Sequence, residues 1–162
     1  DYLPKARLQE VDLVGLIDNC SYTLLALYPN AQIESFHNEE IILVSGDPDL
    51  LELAIMNLLE NGVKYSKGPP LLTITIADFG GRVELSIADQ GIGIPAEDLD
   101  KIFERFYTVD KTHSRRLGGA GLGLSIVNAI VTKHDAEIAV TSDVDQGTTF
   151  TLTFQPVTAL SL

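Results

Sequence analysis

Sulfur and indole are nearly missing from this sequence: one Cys, one Met and no Trp in 162 residues. A single thiol excludes a disulfide framework and a thiolate metal cluster, and it points to a reducing, cytoplasmic setting. Long hydrophobic runs are missing too. No apolar stretch reaches the ~18 residues of a membrane span, and no signal-peptide pattern opens the chain. Positive charge is scarce, with 11 basic residues against 23 acidic ones and a net charge of −12. Nucleic acid and anionic membrane repel such a chain, so neither is expected as a partner. What is present suffices for a core. The chain is 45% hydrophobic, and a domain of this size buries about 70% of the surface its unfolded form exposes. Asp1 rather than Met stands first, so a piece of something longer is expected.

The few basic residues are bunched. Lys101, Arg105, Lys111, Arg115 and Arg116 fall within sixteen positions opposed only by Glu104 and Asp110, so this segment is +3 and the remainder −15. Such an island is either a solvated face or a seat for a small anion such as a nucleotide. Composition does not choose between them.

Residues 1–10 read as a linker or the end of a preceding helix, 11–157 as one domain and 158–162 as a tail. Helical spacing of apolar residues runs from Val11 to Tyr28. Gln32–Phe36 and Ile41–Val44 read as short strands around a polar turn. Asp47-Pro48 opens a helix, as a capping residue followed by proline at the first helical position, and the helix runs to about Tyr65. Leu71–Ala77 and Val83–Ala88 form a hairpin about Gly80-Gly81. A short helix is expected near Glu97–Phe103, a polar, mobile segment over Thr108–Gly119, a helix over Gly121–Lys133, and a last hairpin from Ile138–Thr141 and Thr148–Phe154. The order predicts an α/β sandwich of the α+β type, with helices on one face of a mixed, mostly antiparallel sheet.

Three segments carry chemistry. On the second helix Asn57, Asn61 and Lys64 share a stripe about 60° wide, apart from the apolar stripe of Leu51, Ile55 and Leu58. Asparagine is a mediocre helix former. The pair is either merely exposed or capping, or it offers hard amide oxygens suited to Mg²⁺, with Lys64 as a point charge for phosphate. Asp89 continues the inward parity of Val83, Leu85 and Ile87, so its carboxylate points toward the apolar side and needs donors. Either the N–H groups of Gly91 and Gly93 merely cap it, or it reads a base, favouring adenine over guanine. Gly119, Gly121 and Gly123 enter a helix whose free N–H groups and positive dipole end suit an anion. The run is neither a P-loop nor a dinucleotide fingerprint.

In this order and spacing the segments resemble the catalytic and ATP-binding domain of sensor histidine kinases, of the GHKL superfamily. Asn57-Leu-Leu-x-Asn61-x-x-Lys64-Tyr65-Ser66 is similar to that family's asparagine box. Asp89-x-Gly91-x-Gly93-Ile94 is similar to its first glycine box, and Phe103-Glu-Arg-Phe106-Tyr107 to its phenylalanine box. Gly119-x-Gly121-Leu122-Gly123-Leu124 resembles the second glycine box, and Gly147-Thr148-Thr149-Phe150 the last motif.

The resemblance implies ATP and Mg²⁺ as ligands, with Asn61 on the metal, Asn57 beside it, Lys64 on a phosphate and Tyr65 near the nucleoside. It implies that Asp89 accepts the adenine amino hydrogen, supported by Thr148 through water, with Gly91, Gly93, Ile94 and Phe106 also at the nucleotide. Gly119, Gly121, Leu122, Gly123 and Leu124 follow on the phosphate side, and residues 107–118 form an ATP lid. Residues 1–10 then end a histidine-bearing dimerisation domain, and a response regulator lies downstream. Hydrolytic relatives, the gyrase and MutL types, carry a water-activating glutamate where Asn57 stands. Histidine kinase activity is therefore expected over a stand-alone ATPase or serine kinase, or a non-catalytic binding module. His37, His113 and His134 lack the setting of a phospho-acceptor, and His113 and His134 read as ordinary surface residues. Thr108 stands where many relatives have Arg or Lys, so that phosphate contact is either lost or taken by Arg105, Arg115 or Arg116. Gly62 replaces a common alanine, and Asp135-Ala136 a common Gly-Gly.

Overall fold

The computed structural model describes residues 3–105, 107 and 123–156. Among these residues seven strands and three α-helices follow one another: β1 Gln9–Asp12, α1 Leu13–Leu27, β2 Gln32–His37, β3 Leu43–Gly46, α2 Pro48–Lys64, β4 Leu71–Phe79, β5 Arg82–Ala88, α3 Gly123–Lys133, β6 Glu137–Asp143 and β7 Gly147–Phe154. Five strands form one sheet in the order β2-β4-β5-β7-β6, while β1 and β3 pair separately. The β2–β4 contact is parallel and the others in that sheet are antiparallel. This is the expected mixed, mostly antiparallel sheet.

Alternation of side chains places the core. Leu72, Ile74 and Ile76 of β4, Val83, Leu85 and Ile87 of β5, and Phe150, Leu152 and Phe154 of β7 are buried on one side of the sheet. Helix α2 meets them with Leu50, Leu51, Ala54, Ile55, Leu58 and Leu59, and α3 adds Val127, Ile130 and Val131. Each such Val, Leu, Ile or Phe side chain contributes about 1.5–3 kcal/mol when fully buried. Gly80 and Gly81, with φ of 73° and 102°, make the two-residue turn that joins β4 to β5; positive φ at both central positions is what a type I′ hairpin turn demands.

Two local expectations change, and the two short strands find their partners elsewhere in the fold. Gln9 and Glu10, read as linker, belong to β1, because Val11 is buried and the strand pairs antiparallel with β3. The segments either side of the polar turn are not partners: β2 pairs with β4 and β3 with β1. In place of a helix over 97–103 there is a 3₁₀ turn at Ala96–Asp98 followed by further turns. Its hydrogen bonds run from Asp98 to Pro95, Leu99 to Ala96 and Lys101 to Asp98, three residues back each time.

The start of α2 is the polar knot of the fold. Asp47 is buried, and its carboxylate accepts from the backbone N–H groups of Arg7 (2.9 Å), Asp49 (3.0 Å) and Leu50 (3.2 Å). Its own N–H donates to His134 Nε2 at 3.0 Å, and His134 Nδ1 lies 2.7 Å from the Ile130 carbonyl. His134 is therefore a half-buried tie between α3 and α2, not an ordinary surface residue. Asp135 beside it takes φ 51°, the conformation that glycine adopts without strain.

The Arg7 N–H holds the Asp47 carboxyl below its ordinary 3.8; burial opposes this, and Leu50, Asp49 and His134 add to the lowering. A folded value below the unfolded one stabilises above the unfolded value and is lost as pH falls through the folded value. Asp47→Ala is expected to cost about 0.5–2 kcal/mol in urea unfolding at neutral pH. The gap to the parent chain should shrink below about pH 4.

Candidate functional site

The inward side of the sheet is apolar until its last row. Ile87 of β5 faces Phe150 of β7, which faces Val140 of β6. One step further along the same parity come Asp89, Thr148 and Ser142. Asp89 donates its N–H to the Thr148 carbonyl at 2.9 Å, and Thr148 is the register partner of Ser142. Three adjacent strands thus end in a carboxylate and two hydroxyls.

Asp89 is held on one side only. Its Oδ1 accepts from the N–H of Gly91 at 2.9 Å and of Thr148 at 3.2 Å. Among the described residues no donor meets Oδ2, which lies toward Gly62 of α2. Burial raises the carboxyl above its ordinary 3.8, and the two N–H groups recover part of that shift. For an acid with a raised folded value, stability falls as pH climbs from the unfolded to the folded value, so this carboxylate is a cost to the fold at neutral pH.

Close backbone contacts fix the loop after Asp89. The Tyr65 carbonyl accepts from Ile92 N–H at 3.0 Å, and Ser66 bridges to Gly91. A side chain on Gly91 would collide with the Tyr65 carbonyl. Gly93, at φ 74°, lies against the Asp143 carbonyl, and Gly147, at φ 121°, lies against the Asp89 carbonyl. Asp145 N–H donates to Ile92 O at 2.8 Å, and Lys67 Nζ reaches the Asp145 carbonyl at 3.0 Å. The end of α2, the 89–94 loop and the β6–β7 turn are one hydrogen-bonded body.

That body carries several of the expected residues. Asn57, Asn61 and Lys64 are half-buried on α2, and Tyr65 caps its end. Asn57 Nδ2 donates to the Leu53 carbonyl at 2.7 Å, and its Oδ1 would lie 3.0 Å from a Cβ on Gly123, so α3 begins directly beside it. The Asn61 side chain makes no hydrogen bond among the described residues. An unengaged amide oxygen fits Mg²⁺, which keeps most of its waters. Ile94 is buried and Leu124 packs against the core. Phe103 meets Phe150 edge-on at 6.4 Å between ring centroids. The Tyr107 hydroxyl donates to Asp98, which pushes it up to about 12. Phe106, Thr108, His113, Arg115, Arg116, Gly119, Gly121 and Leu122, and with them most of the expected lid, lie outside the described residues, as does the 158–162 tail.

Sequence reasoning missed Ser142. The signal was available: after Ile138 and Val140, Ser142 continues the inward parity of β6 just as Asp89 continues that of β5. It also missed the His134–Asp47 tie, which no periodicity announces.

A mixed sheet with helices on one side, ending beside a half-satisfied carboxylate, an amide-bearing helix and a glycine at the start of the next helix, is the frame that a family of ATPases shares with this chain. Residues 46–158 match the family model described as histidine kinase-, DNA gyrase B- and HSP90-like ATPase. The sensor-like histidine kinase SenX3 of Mycolicibacterium smegmatis is 43% identical over 109 residues, covering 67% of this chain and 28% of that protein. The sensor histidine kinase YkoH of Bacillus subtilis is 37% identical over 147 residues, covering 91% of this chain and 32% of that protein. The mycobacterial sensor histidine kinase MprB superposes with a TM-score of 0.80 at 27% identity, covering 93% of this chain and 98% of that structure. The chain belongs to this ATPase family, as an ATP-binding catalytic domain of the sensor histidine kinase kind. It spans about a third or less of the length of these curated relatives. No helix among the described residues is long and apolar enough to cross a membrane.

The glycine contacts are testable without ligand. Gly80 has positive φ and open space around it, so Gly80→Ala is expected to cost only about 1 kcal/mol. Gly147→Ala adds a backbone collision and should cost at least about 3 kcal/mol in urea unfolding.

Proposed function

We propose that this domain holds Mg²⁺-ATP between α2, the 89–94 loop and the start of α3, and supplies the γ-phosphoryl group to a histidine on a separate dimerisation domain. A receiver domain on a response regulator then takes the phosphate. The observation that carries the base site is the one-sided Asp89: Oδ1 is saturated by two backbone donors while Oδ2 is left for a donor from outside. An adenine amino group is such a donor.

Asn61 would hold Mg²⁺, which supplies charge neutralisation at the phosphates when bound. Lys64 gives a point charge at the same end of α2. Gly91, Gly93 and Ile94 keep the base side rigid, and Tyr65 and Thr148 line it. Gly123 and Leu124 place the N-terminal end of α3 toward the phosphates, in continuity with Gly119, Gly121 and Leu122. Arg115, Arg116 and Phe106, outside the described residues, are assigned to the nucleotide by the family's motifs alone. Phosphoryl transfer in such a site relies on positioning and electrostatics.

Two features favour transfer to a protein over hydrolysis. Asn57 has an amide, which cannot take a proton from water at neutral pH. Glu60, the nearest carboxylate in sequence, lies about 100° around α2 from Asn61 and is poorly aimed at the same phosphate.

The chain mixed with Mg²⁺-ATP and a separately produced histidine-bearing dimerisation domain should yield phosphohistidine, with little free phosphate from the chain alone. Rapid hydrolysis without the acceptor would contradict the reading. Asn61→Ala should remove Mg²⁺-dependent transfer by at least about 100-fold. Asp89→Asn turns an acceptor into a donor facing the adenine amino group, so ATP affinity should fall about 10- to 100-fold. The same variant relieves a buried charge, so the ligand-free protein should unfold at equal or higher urea concentration than the parent.

A further inference from the structure

We propose that Ser142 is a positioning residue for base selection: it fixes the direction of the Thr148 hydroxyl proton, so that the pocket beside Asp89 presents acceptors only. The inference rests on the nucleotide reading above and goes beyond it by naming what sets the base preference.

Proton accounting carries the argument. A serine hydroxyl has one proton and two lone pairs. Three groups surround Ser142 Oγ. The Ile94 N–H, at 2.7 Å, can only donate. The Gly147 carbonyl, at 3.0 Å, can only accept. Thr148 Oγ1, at 2.8 Å, can do either. The single Ser142 proton goes to the carbonyl, so Thr148 donates its own proton to Ser142. Only lone pairs of Thr148 Oγ1 are then left for any further partner, a ligand included. Thr148 is 6% exposed, so bulk water does not average this direction away.

Asp89 stands next in the same row, with Oδ2 also an acceptor. Two acceptors on adjacent strands match a 6-amino purine, whose exocyclic nitrogen carries two donors. At position 6 itself they oppose a 6-oxo purine, whose carbonyl accepts and whose one donor on that edge is the neighbouring N1–H. Ser142 touches no ligand in this account and acts through Thr148 alone.

The test compares Mg²⁺-ATP with Mg²⁺-ITP, which differs at this edge of the base, by calorimetric or fluorescence titration. In Ser142→Ala the Thr148 hydroxyl is free to rotate and donate to a 6-oxo group. The ATP-to-ITP affinity ratio should fall about tenfold, the worth of one neutral hydrogen bond gained by the wrong base. Ser142→Thr keeps a hydroxyl and should restore the ratio. A purely structural role would weaken both nucleotides alike and leave the ratio unmoved, which would overturn the proposal. Ser142→Cys, of similar volume but with a poorly accepting sulfur, gives the same reading if the alanine variant does not fold. In a Thr148→Val background Ser142→Ala should no longer change the ratio; a persisting change would also overturn it. A parent chain that prefers ATP while the Ser142 variants keep its ratio sinks only this inference. A parent chain that binds neither nucleotide sinks the site reading and this inference with it.

Discussion

The Tyr65 carbonyl, accepting from Ile92 N–H at the end of α2, is the bond on which the site's geometry depends. It ties the helix bearing Asn57, Asn61 and Lys64 to the loop that follows Asp89. Gly91 makes the approach possible, since any side chain there would strike that same carbonyl. Through Ile92 the tie continues to Asp145, and through Gly147 it returns to the Asp89 backbone. Residues more than eighty positions apart are thereby held in one frame, and preorganisation of this kind is what phosphoryl transfer requires of a protein.

The frame carries a destabilising group at its centre. Asp89 sits where the inward parity of β5 would otherwise continue as an apolar residue, and burial raises its carboxyl. Two backbone donors satisfy half of it. The other half is the oxygen that the proposed function gives to the base. Polar groups are retained against stability where they select a ligand, and the Asp89–Thr148–Ser142 row is the one place where the helix-facing surface of β5, β7 and β6 departs from apolar packing.

Much of this was legible in the sequence because it rests on short-range rules. Asp47-Pro48 announced α2, Gly80-Gly81 announced a hairpin, and alternation from Val83 to Ile87 carried through to Asp89. Strand partners were less legible. Nothing local in Gln32–His37 says that its partner is β4, nor in Leu43–Gly46 that it pairs with β1, since pairing is decided by which apolar faces a distant segment leaves uncovered. Gln9 and Glu10 escaped for the same reason, because they become a strand only when β3 is beside them. Ser142 and His134 escaped because their roles are made by contacts across the fold: Ser142 with Ile94, and His134 with Asp47, 87 residues away.

The central claim is that base recognition rests on the free oxygen of Asp89 and metal binding on the Asn61 amide. A crystal structure of the chain with Mg²⁺ and a non-hydrolysable ATP analogue tests it most directly. The account predicts the adenine amino group within hydrogen-bond distance of Asp89 Oδ2 and the metal on Asn61 Oδ1. A base seated away from Asp89, or a metal held by other residues, would contradict it.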